Sequence, residues 1–377
     1  MNFENFLYMG QEIGLVILLL FLFLCDTFCS EKGKKYFQGT AIAGFALVTL
    51  YGFLPQLCGD SFLTGEVFGG MYVSSPLTIL MKNILNVATL IVFLQAREWL
   101  SQEGTKHKQG EFYFITMVTL LGMYLMVSAG NFMMLYIGME TASLPLACLA
   151  AFNKYQEKSA EAGVKYILIS ALSSGIMLFG LSFLYGGLGS FYFADMASRV
   201  TVSPLIILGF VFFFSGLGFK LSLVPFHLWT ADVYEGAPTS VTAYLSVVSK
   251  GAAAFALIFA LYKVFGGIDE IWHSILWGLS VITITLGNLF AIRQKDIKRF
   301  LAFSSISQAG YILLGIITGT AQGVTATVFY VLVYVFSNLA AFGVIAAVEN
   351  RSKGNTLISA FNGLSKSNPK LALVMML

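Results

Sequence analysis

Phe219-Lys220-Leu221-Ser222-Leu223-Val224-Pro225-Phe226-His227-Leu228-Trp229 runs into Thr230-Ala231-Asp232-Val233-Tyr234-Glu235-Gly236-Ala237-Pro238-Thr239. An apolar run carrying Lys250 follows. Lys220 and Lys250 both lie within apolar segments, where an isolated ammonium is costly and a functional role is the default reading. Pro225 breaks the helical hydrogen-bond ladder. In a membrane such a break survives only where protein or water satisfies the freed backbone groups. A broken helix beside buried charge is a common way to build an ion pathway in transporters.

Composition agrees. Hydrophobic residues make up 57% of the 377 and charged residues 11%, against roughly 25% charged in soluble domains. Mean hydropathy is +0.81. The chain therefore reads as an all-α polytopic membrane protein. The net charge of +3 is too small to suggest nucleic acid as a partner, and no basic stripe or zinc-finger spacing supports one. Cys25 and Cys29 sit one helical turn apart, but no histidine accompanies them; with Cys58 and Cys148 they read as small apolar residues rather than metal ligands. The first apolar run lacks a basic leader and a small-residue cleavage site, so it reads as a retained helix.

Apolar runs predict helices over about 10–29, 38–57, 76–97, 111–130, 131–152, 160–185, 204–223, 239–262, 271–292, 300–319 and 323–348. A twelfth begins near Pro369 and stops at Leu377, so the sequence is expected to be truncated early in that helix. Alternate loops hold sixteen Lys and Arg: Lys32, Lys34, Lys35, Arg97, Lys106, Lys108, Lys154, Lys158, Arg293, Lys295, Lys298, Arg299, Arg351, Lys353, Lys366 and Lys370. The opposite loops hold only Arg199 and Lys263. The positive-inside rule then places the N-terminus on the outer, periplasmic face. Three parts are expected: helices one to three in residues 1–110, a five-helix bundle in 111–262, and an incomplete second bundle in 263–377. Helices four to eight start inside and helices nine onward start outside, so a repeat between them would be inverted.

Glu140 is the only carboxylate expected well inside a span, ~14 Å deep at 1.5 Å per residue. Pro145 follows it and frees a carbonyl. Lys165, early in the next helix, is expected to face Glu140 across a short loop, as a switchable pair or as a fixed structural one. Lys250 lies ~16 Å into its helix. Two ammonium groups in low dielectric repel, which suits Lys220 and Lys250 to loading and releasing protons; the alternative for each of them, and for Lys165, is a side chain that snorkels to an interface. Lys82, near a helix end, is expected to snorkel to the outer interface. His227, Asp232 and Glu235 lie at or beyond the break; His227 reads as a proton relay or a backbone-bonded histidine, and Asp232 as a loop carboxylate that caps a helix, holds a water chain or is merely solvated. Ser304, Ser305, Ser307, Gln308 and Asn338 can order water or pack helices. No dinucleotide loop, haem or iron–sulfur spacing, or nucleophile elbow is present. On this reading the chain moves charge and another subunit supplies the energy.

The string from Pro225 to Trp229, the string from Asp232 to Thr239, Lys250, and the run from Arg299 to Tyr311 carry a resemblance. From about Pro76 onward the chain resembles the antiporter-like membrane subunits of respiratory complex I, the NADH:quinone oxidoreductase. The resemblance implies fourteen helices in a full-length subunit, built as two inverted five-helix bundles with a broken helix seven. It implies a proton pathway through Glu140, Lys165, Lys220 and Lys250, with His227 and Asp232 secondary. A further family lysine, in a broken helix twelve, falls beyond Leu377. It implies other membrane subunits of complex I, lipid and protons as partners, in a bacterial inner membrane. NADH, FMN, iron–sulfur clusters and quinone are implied in partner subunits, with no cofactor or metal in this chain. Two departures are visible: Ala231 stands where the family often has proline, and Gln308 where it often has histidine. The alternatives are a subunit of a cation/proton antiporter or membrane-bound hydrogenase of the same fold, or a scaffold subunit whose buried charges only lock packing.

Overall fold

The computed structural model describes residues 3–28, 36–58, 64–352 and 354–376. Cys29, Lys32, Lys34, Lys35, Lys353 and Leu377, which enter the readings above, lie outside the described residues. The main helices are α1 (Gly10–Phe28), α2 (Phe37–Cys58), α3 (Pro76–Leu100), α4 (Gln109–Val127), α5 (Phe132–Ala150), α6 (Glu157–Leu188) and α7 (Pro204–Leu221). After α8 (Leu228–Gly236) comes α9, a continuous helical run made of Thr239–Tyr244, a π-helical turn at Leu245–Ser249, and Lys250–Val264. Then follow α10 (Asp269–Ala291), α11 (Ile297–Ile317), α12 (Ala321–Arg351) and α13 (Pro369–Met376).

Among the described residues, ten helical stretches are long and apolar enough to cross a membrane. One of them, Thr239–Ala291, is 53 residues long. At 1.5 Å per residue it would measure ~80 Å, far more than the ~30 Å hydrocarbon layer. It is divided by a 3₁₀ turn at Phe265–Ile268, so it accounts for two passes, α9 and α10. Eleven passes result, in agreement with the sequence expectation. The chain is a multi-pass membrane protein.

Local chemistry sets the helix ends. Ser75 caps α3 in a capping box with Thr78, with Pro76 at the first helical position. Asn131 and Ser203 cap α5 and α7, and Asp296 accepts from the Lys298 and Arg299 amides at the start of α11. Between α2 and α3 lies a feature the helix count did not anticipate. Strand β1 (Gly65–Val67) pairs antiparallel with β2 (Tyr72–Ser74), placing Val67 opposite Tyr72. Its turn needs left-handed backbone at Gly69 and Gly70, with φ of 67° and 87°. Tyr72 also bridges to Ala129, so the hairpin closes the end of the bundle between α4 and α5.

Helix α9 is the axis of the molecule. Every residue from Ala237 to Leu261 is buried, as expected of a helix that is apolar on all sides. Around it, α4 and α5 approach closely through Gly122 and Gly138: a β-carbon at Gly138 would lie 2.7 Å from the Met126 nitrogen and 2.8 Å from the Gly122 oxygen. Small residues at the contact are how helices pack where lipid removes the hydrophobic drive. Helix α5 continues through Pro145.

Candidate functional site

Helix α7 stops where the sequence stops it. Ser222 takes the left-handed conformation, φ 61° and ψ 38°. The Leu223 amide donates to the Gly218 carbonyl at 2.9 Å and the Ser222 amide to the Phe219 carbonyl at 3.0 Å, the paired bonds of a Schellman end. Pro225 then prevents resumption. The indole Nε1 of Trp229 donates to the Phe219 carbonyl at 3.2 Å, and the Val224 amide to Thr283 Oγ1 at 3.1 Å. Protein groups thus satisfy backbone that the break would otherwise orphan.

Lys220 sits in the last turn of α7, where the helix dipole favours a cation. It is 3% exposed, and its Nζ donates to the Tyr166 hydroxyl at 3.2 Å. Among the described residues no carboxylate forms an ion pair with it. The acid within electrostatic reach is Glu140, whose Oε1 is buried without a hydrogen bond. Lys250 follows directly on the π-turn of α9, a helical irregularity frequent at functional sites. It is 2% exposed and donates to Ser305 Oγ at 2.6 Å. Ser305 also accepts from the Tyr334 hydroxyl at 3.0 Å, and Asn338 Nδ2 donates at 3.0 Å both to that hydroxyl and to Ser246 Oγ.

Aromatic side chains join the two lysines. The Tyr166 ring meets Trp229 edge-on at 5.1 Å, Trp229 meets Tyr234 at 6.3 Å, and the Lys250 ammonium lies 5.7 Å from the centre of the Tyr234 ring. Tyr166, Tyr234 and Tyr334 were not among the site residues expected from the sequence. The available signal was the phenol itself, since a tyrosine that packing buries normally seeks a hydrogen-bond partner. Of the serines and amides expected to order water, Ser305 reaches Lys250, Asn338 is linked to it through Tyr334, and Gln308 accepts from Tyr330.

Three expectations are corrected. Lys165 does not face Glu140: it is 38% exposed in its side chain and pairs at 2.5 Å with both Glu161 and Asp232. Helix periodicity decides this, since Glu161 lies four residues earlier on the same face. Asp232 is not merely solvated, and Glu235 beside it is paired as well. Arg299 binds them at 2.7 and 2.8 Å, and Lys158 binds Glu235 at 2.6 Å. Burial works against both carboxylates, yet the hydrogen bonds from Lys165 and Arg299 to Asp232, and from Lys158 and Arg299 to Glu235, outweigh it and hold both below the usual range. Lys82 does not snorkel. It is 1% exposed and pairs with Glu12 at 2.5 Å, so Glu140 is not the only acid inside a span. His227 precedes α8, and burial holds its imidazole below its ordinary value against the pull of the Pro225 carbonyl. On the Lys158 side, a cavity of ≈ 570 Å³ is lined by Lys158, Glu235, Thr239, Lys298 and Glu349 among others.

A lysine-bearing broken helix packed against a buried lysine-bearing helix, in a polytopic all-α chain, defines an antiporter-like membrane subunit. Residues 129–377 match the family model described as NADH:quinone oxidoreductase/Mrp antiporter, transmembrane. The chain is 70% identical over all its 377 residues, and over 78% of the relative's length, to NADH-quinone oxidoreductase subunit N of Azobacteroides pseudotrichonymphae. It is 51% identical, with the same coverage, to the subunit N of Phocaeicola vulgatus. A chain of respiratory complex I from Thermus thermophilus, solved with bound aureothin, superposes with a TM-score of 0.76 at 30% identity, covering 96% of this chain and 76% of that one. The chain belongs to the NADH-quinone oxidoreductase subunit N family.

Proposed function

We propose that the chain is a proton-translocating membrane subunit of a bacterial NADH:quinone oxidoreductase, seated in the inner membrane with its N-terminus on the periplasmic face. NADH, FMN, iron–sulfur clusters and quinone belong to partner subunits, and this chain contributes translocation without a redox site of its own. Residues 111–262 act as the first five-helix bundle and 263–377 as part of a second, inverted one, with 1–110 flanking them.

The observation that carries this reading is Lys220, buried at a helix break with a neutral phenol as its hydrogen-bond partner and Glu140 as the nearby acid. An anionic Glu140 favours a proton on Lys220; a protonated Glu140 withdraws that support. The proton then passes along the Tyr166–Trp229–Tyr234 side of the site to Lys250, whose ammonium rests on neutral Ser305. Lys165 adjoins Tyr166 in α6, so changes in its pairing with Asp232 reach the partner of Lys220. The cavity at Lys158 and Glu349 brings water toward the start of α9.

The test compares Lys220→Arg with Lys220→Met in the assembled complex. Arginine keeps the charge but does not give up its proton in a protein; methionine keeps approximate length and loses the charge. Both are expected to assemble and to lose proton uptake into vesicles, measured beside NADH:quinone electron transfer. Full pumping by assembled Lys220→Arg would falsify the carrier role.

A further inference from the structure

The site above leaves a second buried charge cluster unused. Glu12 of α1 and Lys82 of α3 are 3% and 1% exposed and pair at 2.5 Å. Lys82 Nζ also donates to the Tyr72 hydroxyl at 2.9 Å and lies 5.0 and 5.6 Å from the ring centres of Tyr72 and Tyr124. The titratable groups facing Glu12 are therefore Lys82, Tyr72 and Tyr124. Removing two charges from water carries a desolvation penalty that a packed apolar pair of similar volume avoids, so such a pair is weak evidence for stability alone. Moreover, the pair is incompletely satisfied. Oε2 of Glu12, Oε1 of Gln11 and Nδ2 of Asn86 are buried and make no hydrogen bond.

The cluster has two openings. Outward, a small cavity of ≈ 50 Å³ reaches Glu12 and Lys82 past Tyr8, Gln11, Tyr51 and Ser74. It lies at the end of the bundle opposite the basic loops. Inward, polar side chains continue along the contact of α3 with α4. The Tyr124 hydroxyl donates to Asn86 Oδ1. Tyr124 stands within electrostatic reach of Tyr244, which is bonded to Thr119 at 2.7 Å and lies beside Thr89. Tyr244 directly precedes the π-turn. Within that turn, Ser246 is tied through Asn338, Tyr334 and Ser305 to Lys250.

We infer that Glu12 and Lys82 form a proton-exchange site on the face opposite the basic loops, connected to Lys250 through Tyr124, Asn86, Thr119 and Tyr244. This rests on the proton-translocating reading above. A proton arriving from the Lys250 side by way of the hydroxyls binds Glu12. The carboxyl, now neutral, no longer holds the Lys82 ammonium, and the proton leaves through the cavity to water. Only a proton moves, and both residues return to their starting state.

The test uses Glu12→Gln, Lys82→Met and the double variant in the assembled complex, with Lys250→Met as reference. Each variant is expected to assemble and to lose proton uptake to the extent that Lys250→Met does. The double variant is not expected to recover, because a neutral pair packs well but exchanges no proton. A protonated-carboxyl infrared band that appears on turnover with NADH is expected to vanish in Glu12→Gln. Recovery of pumping in the double variant would make the pair a structural lock and overturn the site. So would a band unchanged by Glu12→Gln. If Lys250→Met also pumps normally, the translocation reading itself fails; if Lys250→Met fails while the Glu12 and Lys82 variants pump, only this site is lost.

Discussion

Lys250 rests on one hydroxyl. Its Nζ reaches Ser305 at 2.6 Å, and among the described residues no acid pairs with it. Ser305 also accepts from Tyr334, which in turn accepts from Asn338, so a single side chain joins α9, α11 and α12 around the buried cation. Ser305→Ala removes the acceptor and leaves the ammonium, and the proton of the Tyr334 hydroxyl, without one. An orphaned buried polar group costs roughly 1–3 kcal/mol, more when charged. Ser305→Ala is therefore expected to lower the thermal unfolding midpoint of the complex and to reduce proton uptake. Ser305→Thr, which keeps the hydroxyl, is expected to retain most of both, provided its extra methyl fits. Equal losses in the two variants would point to packing at position 305 instead of to the hydrogen bond.

Helix α8 works through its carboxylates. Asp232 and Glu235 tie it to α6 through Lys165 and Lys158, and to α11 through Arg299. Partly exposed pairs contribute roughly 0.2–1 kcal/mol each, so the network matters by joining three helices at once. The folded-state values of Asp232 and Glu235 are depressed. Their stabilisation is thus present above the ordinary carboxylate range of about 4 and is lost as pH falls through the lower folded values. The gap in thermal midpoint between the native complex and Asp232→Asn is expected to be open near pH 7 and to close below about pH 4. A gap that stays constant with pH would mean that Asp232 acts through shape alone. The elements themselves were legible in the sequence: apolar run length fixed the passes, and Lys220 before Pro225 marked the break. The pairing of Asp232 was not, because Lys165 and Arg299 lie 67 residues away on either side and meet it only once three helices have packed. Glu12 escaped for a different reason. Two residues into a helix, it reads as an interfacial acid until the hairpin carrying Tyr72 closes over it.

At the scale of the molecule, the distribution of charge makes a claim about orientation. Sixteen Lys and Arg on one set of loops face two on the other, and loops with positive charge are retained inside. The described structure keeps Glu103, between α3 and α4, on one end of the bundle and Thr201, before α7, on the other; both are exposed. The native Cys25, Cys29, Cys58 and Cys148 must first be replaced by serine or alanine so that only introduced thiols report. In that background, Thr201→Cys in intact cells is expected to react with a membrane-impermeant maleimide, and Glu103→Cys only after the cells are opened. Both positions lie in loops, so neither thiol has to enter a helix or displace a buried group. Inverted labelling would place the N-terminus inside. It would put the Lys158–Glu349 cavity on the periplasmic face and the Glu12–Lys82 cluster on the cytoplasmic one, and so reverse the proposed direction of proton transfer through Lys250.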